Sequence, residues 1–254
     1  MIPENTPSQI TISTPNLLAS IGFYEKLGYR LIAKEEEPNA WAYMTDESLL
    51  ILLSQDEQSF FGLTYFYPDL DGLLEELEKN GITPAGKQND TQGTRFAFLL
   101  SPDNFGVALV RHSGEGIFRP TGKTFKDYPQ EDLENPEKYP NPIMGLFGEF
   151  CHPVKDFKTS QAWWKALGFN VFSENEGPYT YGILTHGQHI IGLHQTEEFK
   201  QPALTYFAKD SAKKIAHLRE QGIDSISQFE GTGGDEKNVV ITSPEQQHVF
   251  LFNF

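Results

Sequence analysis

The sequence predicts an α+β protein built from four βαβββ modules, and three observations predict it. A strand–turn–helix phrase occurs four times. Each copy of the helix ends on a glycine at the same place. Each helix is followed by runs of strand-forming residues separated by short polar turns.

The first phrase is QITISTPNLLASIGFYEKL, from Gln9 to Leu27. Gln9 to Ser13 reads as a strand and Pro15-Asn16 as a turn. Leu17, Leu18, Ile21, Tyr24 and Leu27 recur at three- and four-residue spacing, the period of one helical face. Asn16 is the expected N-cap, because its side-chain oxygen can accept an orphan backbone N–H. Gly28 can take the left-handed conformation that ends the helix. The phrase returns from Gly62 (GLTYFYPDLDGLLEELEKNG), from Gly148 (GEFCHPVKDFKTSQAWWKALG) and from Ala203 (ALTYFAKDSAKKIAHLREQG).

The repeats nest. Within the first half Pro15-Asn16-Leu17 matches Pro68-Asp69-Leu70, and Gly28 matches Gly81; within the second, Asp156 matches Asp210 and Gly168 matches Gly222. Between halves, Leu63-Thr64-Tyr65-Phe66 recurs as Leu204-Thr205-Tyr206-Phe207, Ser101-Pro102 as Ser243-Pro244, and Phe23-Tyr24 as Trp163-Trp164. The chain reads as a duplicated domain whose copies are themselves duplicated. Strands follow each helix: Ala40 to Met44 and Ser48 to Ser54, Arg95 to Ser101 and Gly106 to His112, Tyr179 to Thr185 and Gln188 to Gln195, Asn238 to Ser243 and His248 to Phe254. The expected domains are 1–112 and 145–254, joined by a Pro-, Gly- and acid-rich linker over 113–144.

Acidic residues outnumber basic ones 35 to 20, and the formal net charge is −15. That sign repels phosphate backbones and anionic lipid, so no nucleic-acid or membrane partner is expected. One cysteine, Cys151, forms no internal disulfide. No apolar run approaches the ~20 residues of a membrane span, and MIPENTPSQI lacks the features of a signal peptide. The expected location is the cytoplasm.

The combination of an S-x-x-F-Y-x-x-L-G helix at Ser20 to Gly28, hairpin strands, an L-x-x-x-G helix end at Leu77 to Gly81 and a Ser-Pro-Asp turn at Ser101 resembles the vicinal oxygen chelate superfamily: the glyoxalase, bleomycin-resistance and extradiol-dioxygenase group. The resemblance covers both halves. It implies four βαβββ modules paired into two glyoxalase-like half-barrel domains, each with a concave cavity. It also implies where metal-using relatives carry their ligands, on the first and last strands of each module. Those positions fall on Gln9, Ile51, Leu63 and Ala108 in the first half, and on Glu149, Ile191, Leu204 and Phe250 in the second. Most are hydrocarbon and cannot coordinate. A second set, Glu149 with His189 and His248, offers three donors if the strand register allows it.

The expected function is therefore a metal-free small-molecule-binding protein of the bleomycin-resistance type, with no cofactor. The expected ligand-binding residues are Gln9, Trp41, Tyr43, Tyr65, Arg95, Glu149, Tyr181, His189, Tyr206 and His248: aromatics with a few polar anchors, which is what a small-molecule pocket offers. An ordinary sheet core offers the same residues. The alternative is a divalent-metal-dependent lyase, isomerase or dioxygenase of the same superfamily, and a third reading is a regulatory partner protein. The expected assembly is a monomer with an internal pseudo-dimer, or a homodimer. Cys151 reads as a small buried residue, since the neighbouring Glu149 disfavours a thiolate. His152 and His194 read as surface or helix-facing. The glycine cluster at 231–234 lacks the Lys-Ser/Thr of a phosphate loop and reads as an ordinary loop.

Overall fold

A computed structural model of the chain describes residues 1–120, 123–230 and 236–254; the glycine cluster at 231–234 lies outside them. The first half contains β1 (Ser8–Thr14), α1 (Leu17–Lys26), β2 (Arg30–Glu35), β3 (Trp41–Thr45), β4 (Leu50–Gln55), β5 (Phe61–Tyr67), α2 (Leu70–Lys79), β6 (Gly86–Asp90), β7 (Gly93–Leu100) and β8 (Gly106–Arg111). The second contains β9 (Leu146–Pro153), α4 (Phe157–Leu167), β10 (Asn170–Asn175), β11 (Tyr181–His186), β12 (His189–His194), β13 (Ala203–Phe207), α5 (Ser211–Glu220), β14 (Ile226–Gln228), β15 (Val239–Thr242) and β16 (His248–Phe252). Between them lie α3 (Gln130–Leu133) and two short 3₁₀ turns at Phe125–Asp127 and Pro136–Lys138. The order is βαβββ four times, as the repeats predict.

Each half contributes one eight-stranded sheet of described residues, in the orders β2-β3-β4-β1-β5-β8-β7-β6 and β10-β11-β12-β9-β13-β16-β15-β14. β5 with β8 and β13 with β16 are parallel; the hairpins are antiparallel. The two sheets have the same order because the same module order builds both.

Local chemistry sets the helix ends. Asn16 Oδ1 accepts the Ala19 N–H at 3.1 Å, and Asp69 and Asp156 cap α2 and α4 in the same way. Gly28 sits at φ +87°, and a Cβ there would run into the Asn141 side chain, so both backbone and space demand glycine. The expected α1 face is corrected at one position. Leu17, Ile21, Tyr24 and Leu27 are buried, whereas Leu18 is 67 % exposed; one residue from Leu17 turns it about 100° off the stripe.

By packing, the chain divides into two compact units: Met1–Ile10 with Phe60–Arg119 and Cys151–Lys200, and Thr11–Ser59 with Pro120–Phe150 and Gln201–Phe254. The second and third modules thus share one unit, and the first and fourth share the other. No described helix is long and apolar enough to cross a membrane.

Candidate functional site

Strand alternation decides which residues can meet a ligand. Among the second module's strands, Leu63, Tyr65, Ala97, Leu99, Val107 and Leu109 are fully buried. They share a face with each other by register and back the leucines of α2. Thr64, Phe66, Phe96, Phe98 and Ala108 take the opposite face. In the first module Ala42, Met44, Ile51 and Leu53 lie under α1, while Trp41, Tyr43, Leu52 and Ser54 face away, half buried. In the third, Gly182 lies against the Phe157 ring of α4, which puts Leu184, Ile191 and Leu193 on the helix face. Tyr181, Ile183, Gly192 and His194 lie on the other. In the fourth, Leu204, Tyr206, Val249 and Leu251 form the buried helix face, and Thr205, His248, Phe250 and Phe252 the opposite one.

On β1, Ser8 bonds His189 and Thr14 bonds Ser20 of α1, so Gln9 points the other way. On β9, the His152 ring lies 4.9 Å from Phe105, which itself packs on Trp164 of α4. Glu149 and Cys151 therefore share the face away from the helix.

Six of the predicted ligand-binding residues lie on these opposite faces: Gln9, Trp41, Tyr43, Glu149, Tyr181 and His248. The Trp41 and Tyr43 rings meet edge to face at 5.1 Å. Four do not lie there. Tyr65, His189 and Tyr206 are buried on helix faces, and Arg95 is exposed at an irregularity of the β6–β7 register, where it is the extra residue between Thr94 and Phe96. For the three buried residues the reason is a one-residue slip, which sends every side chain of a strand to the other face. By the same alternation Ile51, Leu63, Ile191 and Leu204 lie on helix faces, and their neighbours Leu52, Thr64, Gly192 and Thr205 face the other way. His194, expected as a surface or helix-facing residue, lies on the face away from the helix and stacks on Tyr181 with ring planes 4° apart and centroids 5.6 Å apart. Its Nδ1 lies 3.3 Å from the Tyr179 hydroxyl. Two-residue spacing from Gly192 was the signal for it. Cys151 is buried, as expected.

The helix-face residues form polar networks instead. In one unit Tyr206 donates to Asp46 at 2.5 Å and lies 2.6 Å from the Tyr29 hydroxyl. The Ser48 and Leu49 N–H groups also donate to Asp46, and the Asn141 amide lies 3.5 Å from it. Burial pushes the Asp46 carboxyl above the usual range, against these donors. Glu245 accepts from both Ser20 and Tyr24 at 2.7 and 2.9 Å. The other unit repeats the plan with different chemistry. Tyr65 meets His186 Nδ1 at 3.2 Å, Ser160 donates to Asp103, and Ser8 bonds His189 Nε2 at 2.7 Å. Burial lowers His189 to about 3 and His152 to about 4. None of these residues was legible as a network, because each joins modules distant in sequence.

On those eight strands the residues that face away from the helices are Gln9, Leu52, Thr64 and Ala108, then Glu149, Gly192, Thr205 and Phe250. They do not fit a divalent ion, which takes three or four N, O or S donors. The slip also removes His189 from the set with Glu149 and His248. Among the described residues no three His, Cys, Asp or Glu side chains converge as a metal site. In the fourth module the Phe250 position is packed with rings, Phe229 at 5.1 Å and Phe252 at 5.4 Å.

No protein-family model and no curated protein match the sequence. Solved structures do match. One is a catechol 2,3-dioxygenase, at TM-score 0.54 and 14% identity over 97% of this chain and 86% of that one. Another is homoprotocatechuate 2,3-dioxygenase from Arthrobacter globiformis, at TM-score 0.60 and 16% identity over 98% and 79%. A variant of homoprotocatechuate 2,3-dioxygenase from Brevibacterium fuscum matches at 0.58 and 14% over 96% and 70%. At such identities the likeness is one of fold. Four βαβββ modules, two sheets of one strand order and overlap along nearly all of this chain agree: the chain shares the fold of these dioxygenases.

Proposed function

We propose that this protein binds a small aromatic molecule on a sheet face turned away from the helices, and holds it by stacking and hydrogen bonds without a divalent metal. The donor set carries this reading. At the eight strand positions the only carboxylate is Glu149 and the only amide is Gln9; the rest are hydroxyl, hydrocarbon or glycine. Meanwhile the same faces present half-buried rings, Trp41 beside Tyr43 and Tyr181 under His194. Aromatic walls with a few polar anchors suit a planar ligand.

A second reading is a divalent-metal-dependent lyase, isomerase or dioxygenase. The likeness to solved dioxygenases favours it over the metal-free reading, as the donor chemistry favours the reverse. Under it Glu149 and His248, both on faces turned from the helices, are the side chains available to a metal.

One experiment separates the two. The protein is purified without chelator, its metal content is measured, and its melting temperature is followed as catechol is added, before and after treatment with a chelator. The metal-free reading expects a rise that survives chelation and is lost in Trp41→Ala or Tyr181→Ala, since a ligand that binds only the folded state stabilises it. One divalent ion per chain that Glu149→Ala removes, or ring cleavage of catechol after iron(II) is added, would establish the second reading instead.

A further inference from the structure

The fold holds a cavity lined mostly by polar side chains. It has a volume of about 190 Å³ and lies beside the turn between β11 and β12, in the unit containing the second and third modules. Glu4, Asn5, Thr6, Ser8, Arg119 and Gln188 line it. We propose that this cavity binds a small zwitterion, a free α-amino acid being the simplest, with its carboxylate on Arg119 and its ammonium on Glu4.

Size sets the first limit. At about 30 Å³ per water the space holds roughly six waters, well below the 300–1,000 Å³ of a site for drug-sized ligands. A ligand of a few heavy atoms fills the space.

Charge sets the second. The wall offers one guanidinium and one carboxylate among amides and hydroxyls. A guanidinium forks onto a carboxylate, and a carboxylate accepts from an ammonium. A simple anion would gain Arg119 but meet Glu4, on a chain of net charge −15. A simple cation would gain Glu4 but meet Arg119. Only a molecule carrying both charges satisfies both groups, and the mismatch rejects the others.

The part of the wall formed by the N-terminal segment and the β11–β12 turn is also held in place before any ligand arrives. The N-terminal segment is pinned at Ile2, whose N–H donates to Leu167 and whose carbonyl meets His186 Nε2, both at 2.9 Å. Phe66 N–H donates to the Pro7 carbonyl at 2.9 Å. Ser8 is fixed by His189, and the Gln188 amide reaches the Ser8 carbonyl at 3.4 Å. The Asn170 amide donates to Glu4 Oε1 at 2.8 Å; it positions that carboxylate and, being neutral, leaves its charge in place. Gly187 lets the two segments touch: it stands at φ +56°, and a Cβ there would lie 2.5 Å from the Glu4 carbonyl. Pre-ordering of this kind lowers the entropy cost of binding.

Calorimetric titration of the full chain with glycine and L-serine tests the proposal, with acetate, methylammonium and inorganic phosphate as single-charge probes. The amino acids should bind at least about tenfold more tightly than any single-charge probe, and Arg119→Gln and Glu4→Gln should each weaken them about tenfold. Both residues are exposed, so the variants keep the wild-type melting temperature, which is measured alongside. Acetate or phosphate binding as well as glycine, tighter anion binding with unchanged glycine binding in Glu4→Gln, or no heat with glycine at concentrations of about 50 mM would each overturn it. Trp41→Ala, which tests the aromatic faces, should leave these titrations unchanged, so the two readings fail separately.

Discussion

His152 gives the protein a specific sensitivity to acid. It lies on β9, 3 % exposed, with neither ring nitrogen partnered among the described residues and the Phe105 ring 4.9 Å away. Burial, the dominant cause, holds it near pKa 4, below its ordinary value, with Asp103 pulling weakly the other way. A depressed histidine stays neutral when folded, while the unfolded chain takes up a proton below about pH 6.5. Stability is therefore complete above about pH 6.5 and falls as pH drops towards the folded value near 4. Each pH unit in that window is worth about 1.4 kcal/mol per group, so His152 alone removes about 2 kcal/mol between neutrality and pH 5. Urea unfolding of wild type and His152→Phe at about pH 7.5 and about pH 5 isolates the effect, because the carboxylates common to both proteins cancel in the difference. The variant should gain about 2 kcal/mol on wild type over that interval. It should not lose stability at neutral pH, since no hydrogen bond is removed and two unpaired polar atoms leave the core. A constant difference between the two proteins across pH would refute the reasoning.

Three further outcomes follow from the networks. Asp103→Glu should stabilise the protein by about 1 kcal/mol in urea unfolding. Glu245 spans both Ser20 and Tyr24, whereas the shorter Asp103 accepts from Ser160 and from the exposed Lys155 N–H and leaves Trp164 Nε1 without a partner among the described residues. Tyr206→Phe should cost about 1–3 kcal/mol by the same measurement, because it strips Asp46 and Tyr29 of a shared buried partner. Gly28→Ala should lower the melting temperature, with a cost above about 1 kcal/mol, since its φ is positive and the Asn141 side chain fills the space.

The scaffold was legible because it rests on local chemistry. Asn16, Asp69 and Asp156 cap helices through their own side chains, and glycines at 28, 81, 168 and 222 all take positive φ. Those signals repeat four times, so each strengthens the others. The candidate site was legible only in part, and most of the losses have one cause. Side-chain direction in a strand alternates with every residue, and the repeated Leu-Thr-Tyr-Phe fixes the strand without fixing its face. Choosing Leu63 and Leu204 over Thr64 and Thr205 misplaced Tyr65 and Tyr206 with them. Gln9 and Glu149, on β1 and β9, kept their faces. Arg119, Glu4 and Gln188 were beyond reach of the sequence: they come from three separated segments, and no periodicity connects them.

Position 46 carries an acid in the first half, and its counterpart 186 carries an imidazole. That difference bears on how a doubled gene settles into one protein. Two identical halves could exchange places, within a chain or between chains, at no cost. A chain carrying the first half twice would bury a second carboxylate where Tyr65 now meets His186, without the Asn141 amide that helps hold the original. Divergence at such joints makes the duplication a one-way step, after which each half has become specific for the other.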